Sequence, residues 1–251
     1  HDLVGKFGAP LEIAFPFVVE KRYQDLVGIF NKYIKDFSYK GKFFYHYPMK
    51  VNQNKEFVLP IISEGANLET ASYNELWLVR KLWEQDQFDS CIRVICNGPK
   101  TDKYLSLIRE LKEKGLLIIP IIEDASEYES LKEYKGDVGI RMKMEVETKS
   151  HWNKKNDRYG LDEEEIYALG KVKNLKILHY HMGSQSFSRE GIIEAVRMAT
   201  EVYAKLKKIN SSLDTLNIGG GMAIPYEKKE HYSTTSVVRG IISTIGKVCE
   251  S

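Results

Sequence analysis

An aromatic-rich run ends in a lysine. Phe43-Phe44-Tyr45-His46-Tyr47-Pro48-Met49 leads into Lys50, and Val51-Asn52-Gln53 follow. The run reads as a buried strand over residues 43–49. An unpaired ammonium at the end of such a strand is costly. That cost favours the neutral, nucleophilic amine, and an amine of that kind forms Schiff bases with carbonyl compounds. The competing reading is a solvated lysine just past a strand.

Other chemistry-bearing residues fall at comparable places. Gly219-Gly220-Gly221 follow a short apolar stretch, and glycines without Cβ atoms let backbone N–H groups close on an anion. The bland alternative is a flexible loop. His179 and His181 are two apart on one strand and share a face. His181, nearer the strand end, suits packing on a flat ring, whereas His179 reads as a satisfied core histidine. A zinc pair is the rival reading, with no third ligand at a suitable spacing. The Ser184 hydroxyl can reach a phosphate. Glu69 precedes Ser72 and Glu75, which read as a helix cap and its partner. A carboxylate at Glu69 can hold an iminium or order the lysine. Arg141 can pair with a phenolate oxygen, or be a plain surface charge.

These residues need a frame. Strands are predicted at 43–49, 67–71, 93–96, 116–123, 137–144, 176–182 and 215–218. Helices are predicted at 20–35, 55–63, 73–85, 100–114, from 124 onward, and at 162–169, 189–209 and 235–249. A polar loop spans 145–158, the longest in the chain. Apolar strands alternating with helices imply a parallel sheet covered on both faces. Seven strands are one short of a (β/α)8 barrel, and a doubly wound open sheet is the alternative. In either case Lys50, Glu69, Arg141, His181, Ser184 and the glycine triplet lie at carboxyl ends of strands and line one mouth. By this count the triplet follows the seventh strand, a favoured place for barrel phosphate sites.

The 251 residues are 43% hydrophobic, enough for one large core, and the net charge of +2 is nearly balanced. No basic stripe points to nucleic acid. No apolar run has transmembrane length, and the first residues are not a signal peptide. Cys91, Cys96 and Cys249 are odd in number without a C-x-x-C pair, so free thiols in a reducing, cytoplasmic setting are expected. The ends at His1 and Ser251 read as domain edges, with room for an upstream targeting segment.

Taken together, these segments resemble the pyridoxal-phosphate decarboxylases of the alanine-racemase-like barrel fold, nearest the biosynthetic arginine decarboxylase branch. The resemblance runs from Phe7-Gly8-Ala9-Pro10 onward. It rests on 47–53, on Leu68-Glu69-Thr70-Ala71-Ser72, on Cys96-Asn97-Gly98-Pro99-Lys100 and on Trp152. It also rests on Arg158-Tyr159-Gly160-Leu161, on 179–185 and on Ile218-Gly219-Gly220-Gly221. It implies a TIM-type barrel that holds pyridoxal 5'-phosphate as a Schiff base on Lys50. His181 would stack on the pyridine ring, Ser184 and Gly219 to Gly221 would bind the phosphate, Arg141 would approach the ring hydroxyl, and Glu69 would lie near the imine. The implied reaction is L-arginine to agmatine and carbon dioxide, an entry to polyamines including putrescine and spermidine. A homodimer or larger oligomer, and magnesium, go with the branch.

Two departures stand out. Arg158 and Tyr159 replace the family's more usual Lys and Phe. The Glu-x-Gly-Arg segment of the last strand and the β-rich second domain are absent, so residues 1–251 read as an incomplete barrel domain, inactive alone. Ornithine, lysine or diaminopimelate decarboxylase, a racemase, a non-catalytic cofactor-carrying barrel, and a metal hydrolase built on His179 and His181 are the competing readings.

Overall fold

The computed structural model describes residues 1–146, 159–226 and 232–250. Seven strands form one sheet: β1 His46–Pro48, β2 Asn67–Thr70, β3 Arg93–Cys96, β4 Leu117–Ile122, β5 Val138–Met142, β6 Leu175–Tyr180 and β7 Thr215–Asn217. All neighbours are parallel, in the order β1 to β7. The order never reverses. A doubly wound sheet requires a reversal, so the architecture is that of a barrel with its β1 and β7 edges unpaired among the described residues.

Helices fill the crossovers: α2 Pro16–Asp36, α3 Lys55–Ser63, α4 Tyr73–Glu84, α5 Asp102–Glu113, α6 Ala125–Leu131, α7 Glu163–Ala168, α8 Arg189–Ile209 and α9 Thr234–Glu250, preceded by α1 Asp2–Phe7. Side-chain caps fix several starts. Ser72 accepts from Glu75 N. Glu75 reaches back to Ala71 N at 2.7 Å, one residue before the cap itself. Asp162 and Glu165 form a full reciprocal box.

Each strand sends alternate side chains to opposite faces. Tyr47, Leu68, Val94, Ile118, Ile140 and Leu178 face the helices and join the main core. Ile95, Ile119, Ile121 and Ile177 form a separate inner layer. Gly139 belongs to that layer: a Cβ there would collide with Ile121 and lie 3.1 Å from Ile177 Cβ.

The helix layer continues across the open edge. Phe30 of α2 packs with Val238 and Ile242 of α9, joined by Phe43 before β1 and Ile218 after β7. Phe30 and Phe43 stack with centroids 3.8 Å apart.

Three expectations need correction. The strand predicted over 43–49 is only His46–Pro48, because Phe43 turns into the α2–α9 cluster and Phe44 faces solvent. Helix α5 begins at Asp102 with Thr101 as its cap, leaving Lys100 in the loop. Helix α1 was not anticipated and buries no side chain. Among the described residues no helix is long and apolar enough to cross a membrane.

Candidate active site

The register gathers the polar residues. Arg141, His179 and Asn217 are Cα partners across β5, β6 and β7. They stand two residues beyond Gly139, Ile177 and Thr215 on the inner face, and Glu123 stands two beyond Ile121. The apolar inner layer therefore gives way to charge at the carboxyl ends of the strands.

Lys50 lies outside the sheet. Met49 N takes the last ladder bond, to Glu69 O at 2.8 Å, and Val51 N closes a turn on Pro48 O at 3.0 Å. Tyr47 OH donates to Asn52 O and pins that turn. Lys50 is exposed, contrary to the expectation of a buried lysine. Lys50 is linked to the mouth electrostatically through Glu69. Burial pushes the Glu69 carboxyl above its usual range, while Lys50, a hydrogen bond from Asn97, and Arg141 each pull it back. The residue is half-buried, and desolvation is the largest influence on its carboxyl.

His181 sits just past β6, and its Nδ1 accepts from Gly220 N at 3.3 Å. Gly219 N donates to Asn217 Oδ1 at 2.9 Å. Two of the three glycine amides thus serve the site's own geometry, which the anion-binding expectation did not foresee. Gly219 and Gly221 have positive φ, 64° and 91°, and a Cβ on them would strike the carbonyl oxygens of Tyr180 and Gly183. A Cβ on Gly220 would meet nothing within 4 Å, so the loop faces open space there. Ser184 is exposed beside Gly221, its Cα 3.4 Å from where that Cβ would be. Gln185 clamps the two loops: its amide bonds Ile224 O at 3.0 Å and Ile224 N at 2.9 Å.

His179 is buried, with Nδ1 3.3 Å from Asn217 O. Burial first, then Arg141 and His181, hold it well below the usual imidazole range. It is a neutral interior residue, as the core reading had it. Among the described residues no three His, Cys, Asp or Glu side chains gather as a metal-binding group. The zinc reading and the magnesium expectation find no support there.

Arg141 is not a plain surface charge. Its Nη1 donates to Glu123 Oε2 at 2.9 Å, and its guanidinium lies 5.1 Å from the Tyr159 ring centroid. Beyond the loop, the chain returns to this point: Gly160 N bonds Glu123 O, and Leu161 N bonds Arg141 O. Trp152 and Arg158 lie outside the described residues.

Sequence reasoning missed Glu123, Glu127 and the buried placement of Lys100. Glu123 was read as the last residue of an apolar strand. A carboxylate ending such a strand at the barrel's functional end was the available signal. Lys100 Nζ meets Glu127 Oε2 at 3.2 Å with its side chain wholly enclosed.

The curated relatives are similar over nearly the whole chain. A biosynthetic arginine decarboxylase of Vibrio cholerae serotype O1 is 26% identical over 270 residues, covering 96% of this chain and 42% of that protein. One from Prochlorococcus marinus (strain AS9601) is 29% identical over 268 residues, covering 96% and 41%. The chain thus spans about two-fifths of the length of these relatives. Among solved structures, the biosynthetic arginine decarboxylase SpeA of Campylobacter jejuni superposes with a TM-score of 0.80 at 25% identity, covering 94% of this chain and 41% of that one. Diaminopimelate decarboxylase of M. jannaschii, at 22% identity and TM-score 0.79, covers 99% of this chain and 59% of that one and shares the fold. Residues 24–251 match the family described as pyridoxal-dependent decarboxylase, pyridoxal binding domain, and the chain belongs to that family.

Proposed function

We propose that the protein carrying this chain decarboxylates L-arginine to agmatine and carbon dioxide, with pyridoxal 5'-phosphate held by Lys50. The observation that carries this reading is the convergence of Lys50, Glu69, Arg141, His181 and the glycine triplet on one mouth. The choice of arginine is supported by relatives named biosynthetic arginine decarboxylase that match 96% of the chain.

The residues fit the group. Gly220 opens onto free space beside the exposed Ser184, and a Cβ at Gly219 or Gly221 would close the loop that borders it. Lys50 and Arg141 bring positive charge to a ligand that carries a phosphate. When bound, pyridoxal phosphate supplies an aldehyde for an amine and an electron-poor ring that accepts the electrons of the departing carboxylate bond.

The chain's own residues bind and orient. The exposed Lys50 amine is accessible and would hold the group by its aldehyde. Glu69 stabilises positive charge at the Lys50 nitrogen. The Gly220 N–H holds His181 by its Nδ1, which would orient the imidazole toward the cofactor ring. Ser184 and the glycine loop would border the phosphate, with Gly219 N and Gly220 N already given to Asn217 and His181, and Arg141 would offer donors to the ring hydroxyl.

The β1 and β7 edges, unpaired among the described residues, and relatives more than twice as long support an eighth strand and a second domain supplied by residues outside these 251; a dimer or larger assembly goes with the resemblance. Three free thiols suit a cytoplasmic location.

The test is borohydride reduction of the protein after incubation with pyridoxal phosphate, then peptide mapping, with product analysis on L-arginine, ornithine, lysine and diaminopimelate. Label on Lys50 and agmatine formation are expected. Cofactor trapped unchanged in Lys50→Ala would sink the assignment.

A further inference from the structure

We propose that Glu123 is a positioning residue for this reaction, aiming the Arg141 guanidinium into the barrel mouth and balancing its charge there, while the buried Lys100–Glu127 pair holds Glu123 in place. The proposal rests on the pyridoxal-phosphate reading.

Glu123 is 3% exposed. Its Oε1 accepts from Gly98 N at 2.6 Å and from Arg141 Nη1 at 3.3 Å, and its Oε2 accepts from the same Nη1 at 2.9 Å. Its own N–H donates to Glu127 Oε2 at 2.9 Å, and its carbonyl accepts from Gly160 N at 3.0 Å. With both oxygens committed, Glu123 does not trade protons with a substrate. What it can do is fix Arg141.

Glu127 completes the arrangement. Its Oε1 accepts from Lys100 N at 2.8 Å, and its Oε2 meets Lys100 Nζ at 3.2 Å. Lys100 Nζ also donates to Gly98 O at 2.7 Å and to Ile121 O. Two acids and two bases thus form an enclosed, charge-balanced set across the ends of β3, β4 and β5.

A buried ion pair adds little stability over well-packed apolar side chains. Its cost is better accounted for by a task that needs the charge. That charge reaches the chemistry: Arg141 and Glu123 act in opposite senses on the Glu69 carboxyl, which also feels Lys50. The groups facing Arg141 are Glu123 just past β4, Glu69 toward Lys50, His179 on β6 with His181 just past it, and the Tyr159 ring.

The test compares Glu123→Gln, Arg141→Gln and the double variant in the whole protein loaded with pyridoxal phosphate. The readouts are the pH midpoint of the absorbance of the lysine-bound cofactor, and kcat and KM for L-arginine. Glu123→Gln leaves Arg141 uncompensated, so the imine nitrogen should lose its proton about one pH unit lower. Its kcat should fall about 100-fold, from misplacement, with little change in KM. Arg141→Gln should move the midpoint upward, and the double variant should return it near the original. A Glu123 with a structural role alone would lower thermal stability and leave the midpoint in place, which overturns the proposal. If Glu123→Gln does not fold, Arg141→Gln reads the same charge in the other direction, and an unmoved midpoint there overturns it equally. Absence of cofactor absorbance in the unmodified protein overturns the pyridoxal-phosphate reading as well, so the two failures are distinct.

Discussion

Glu69 carries a stability cost that its task explains. Its folded carboxyl is raised above 4.5 mainly by burial. The folded protein therefore binds that proton more tightly than the unfolded chain does. Stability falls as pH rises from about 4.5 through the raised value, so ionising this carboxyl in the folded protein is a net burden. Glu69→Gln is expected to keep or raise Tm at pH 7 while lowering kcat by at least about 100-fold, checked by thermal melts alongside the decarboxylase assay. The glycine triplet gives a graded contrast. Gly220→Ala, whose Cβ enters the space assigned to the cofactor without straining the backbone, should weaken cofactor binding about tenfold, whereas Gly221→Ala, strained in φ and striking Gly183 O, should reduce it about 100-fold or more, read by equilibrium titration with pyridoxal phosphate. Lys50, His181 and Gly219 to Gly221 could be singled out from the sequence because their signal is local, a residue type at a strand end, and their cofactor roles stand as proposed above. Glu123 was not, because its meaning comes from Arg141, a partner on the next strand that only the fold supplies.

Among the elements, the parallel strand-and-helix alternation was legible, since β4 is an unbroken apolar run, β3 and β6 are largely apolar, and the longer helices keep their period. The failures have particular causes. Helix α1 buries nothing, so it has no apolar stripe to detect. Helix α2 begins at Pro16, earlier than predicted, and a proline in the first turn was the overlooked sign. Strand β1 is short because the aromatic residues before it pack on helices instead of on neighbouring strands. The Gln185 clamp was also hidden, as it pairs one side chain with backbone 39 residues away. Gln185→Ala should raise hydrogen exchange at 219–224 and weaken cofactor binding about tenfold, with a stability loss near 1 kcal/mol. Exchange in that segment equal to the unsubstituted protein would count against the clamp. Asp162→Ala should cost about 1 kcal/mol by removing the α7 box, measured by urea unfolding.

The whole molecule has a predictable acid sensitivity. His46 is pushed down to about 3, by burial first and by Arg93 second, and its Nε2 is buried without a partner among the described residues. Its folded pKa lies below its unfolded one, so its contribution is intact above about 6.5 and is lost as pH falls. Between pH 6.5 and pH 5 the loss from His46 is about 2 kcal/mol. His179 acts in the same direction. Glu69 opposes both, so the His46 share is read as the difference between the original protein and His46→Asn in urea unfolding at the two pH values. An identical pH dependence in the two would refute it. Residues 1–251 alone are expected to capture pyridoxal phosphate on Lys50 yet form no agmatine, which a mass-spectrometric product assay would check.

The packing of α2 on α9 sets an order on how this molecule comes into being. On the ribosome, Phe30 emerges some two hundred residues before Val238 and Ile242, its partners in the same cluster. Until those residues appear, α2 leans chiefly on α3, on Phe43 and, through Tyr23, on Tyr45. The strands between can pair with their neighbours as they are made, because each crossover is local. The first long helix must wait for the last. Its exposed apolar stripe is then the surface that a nascent-chain chaperone would meet, and the seam between the two helices is where an unfinished chain would open first.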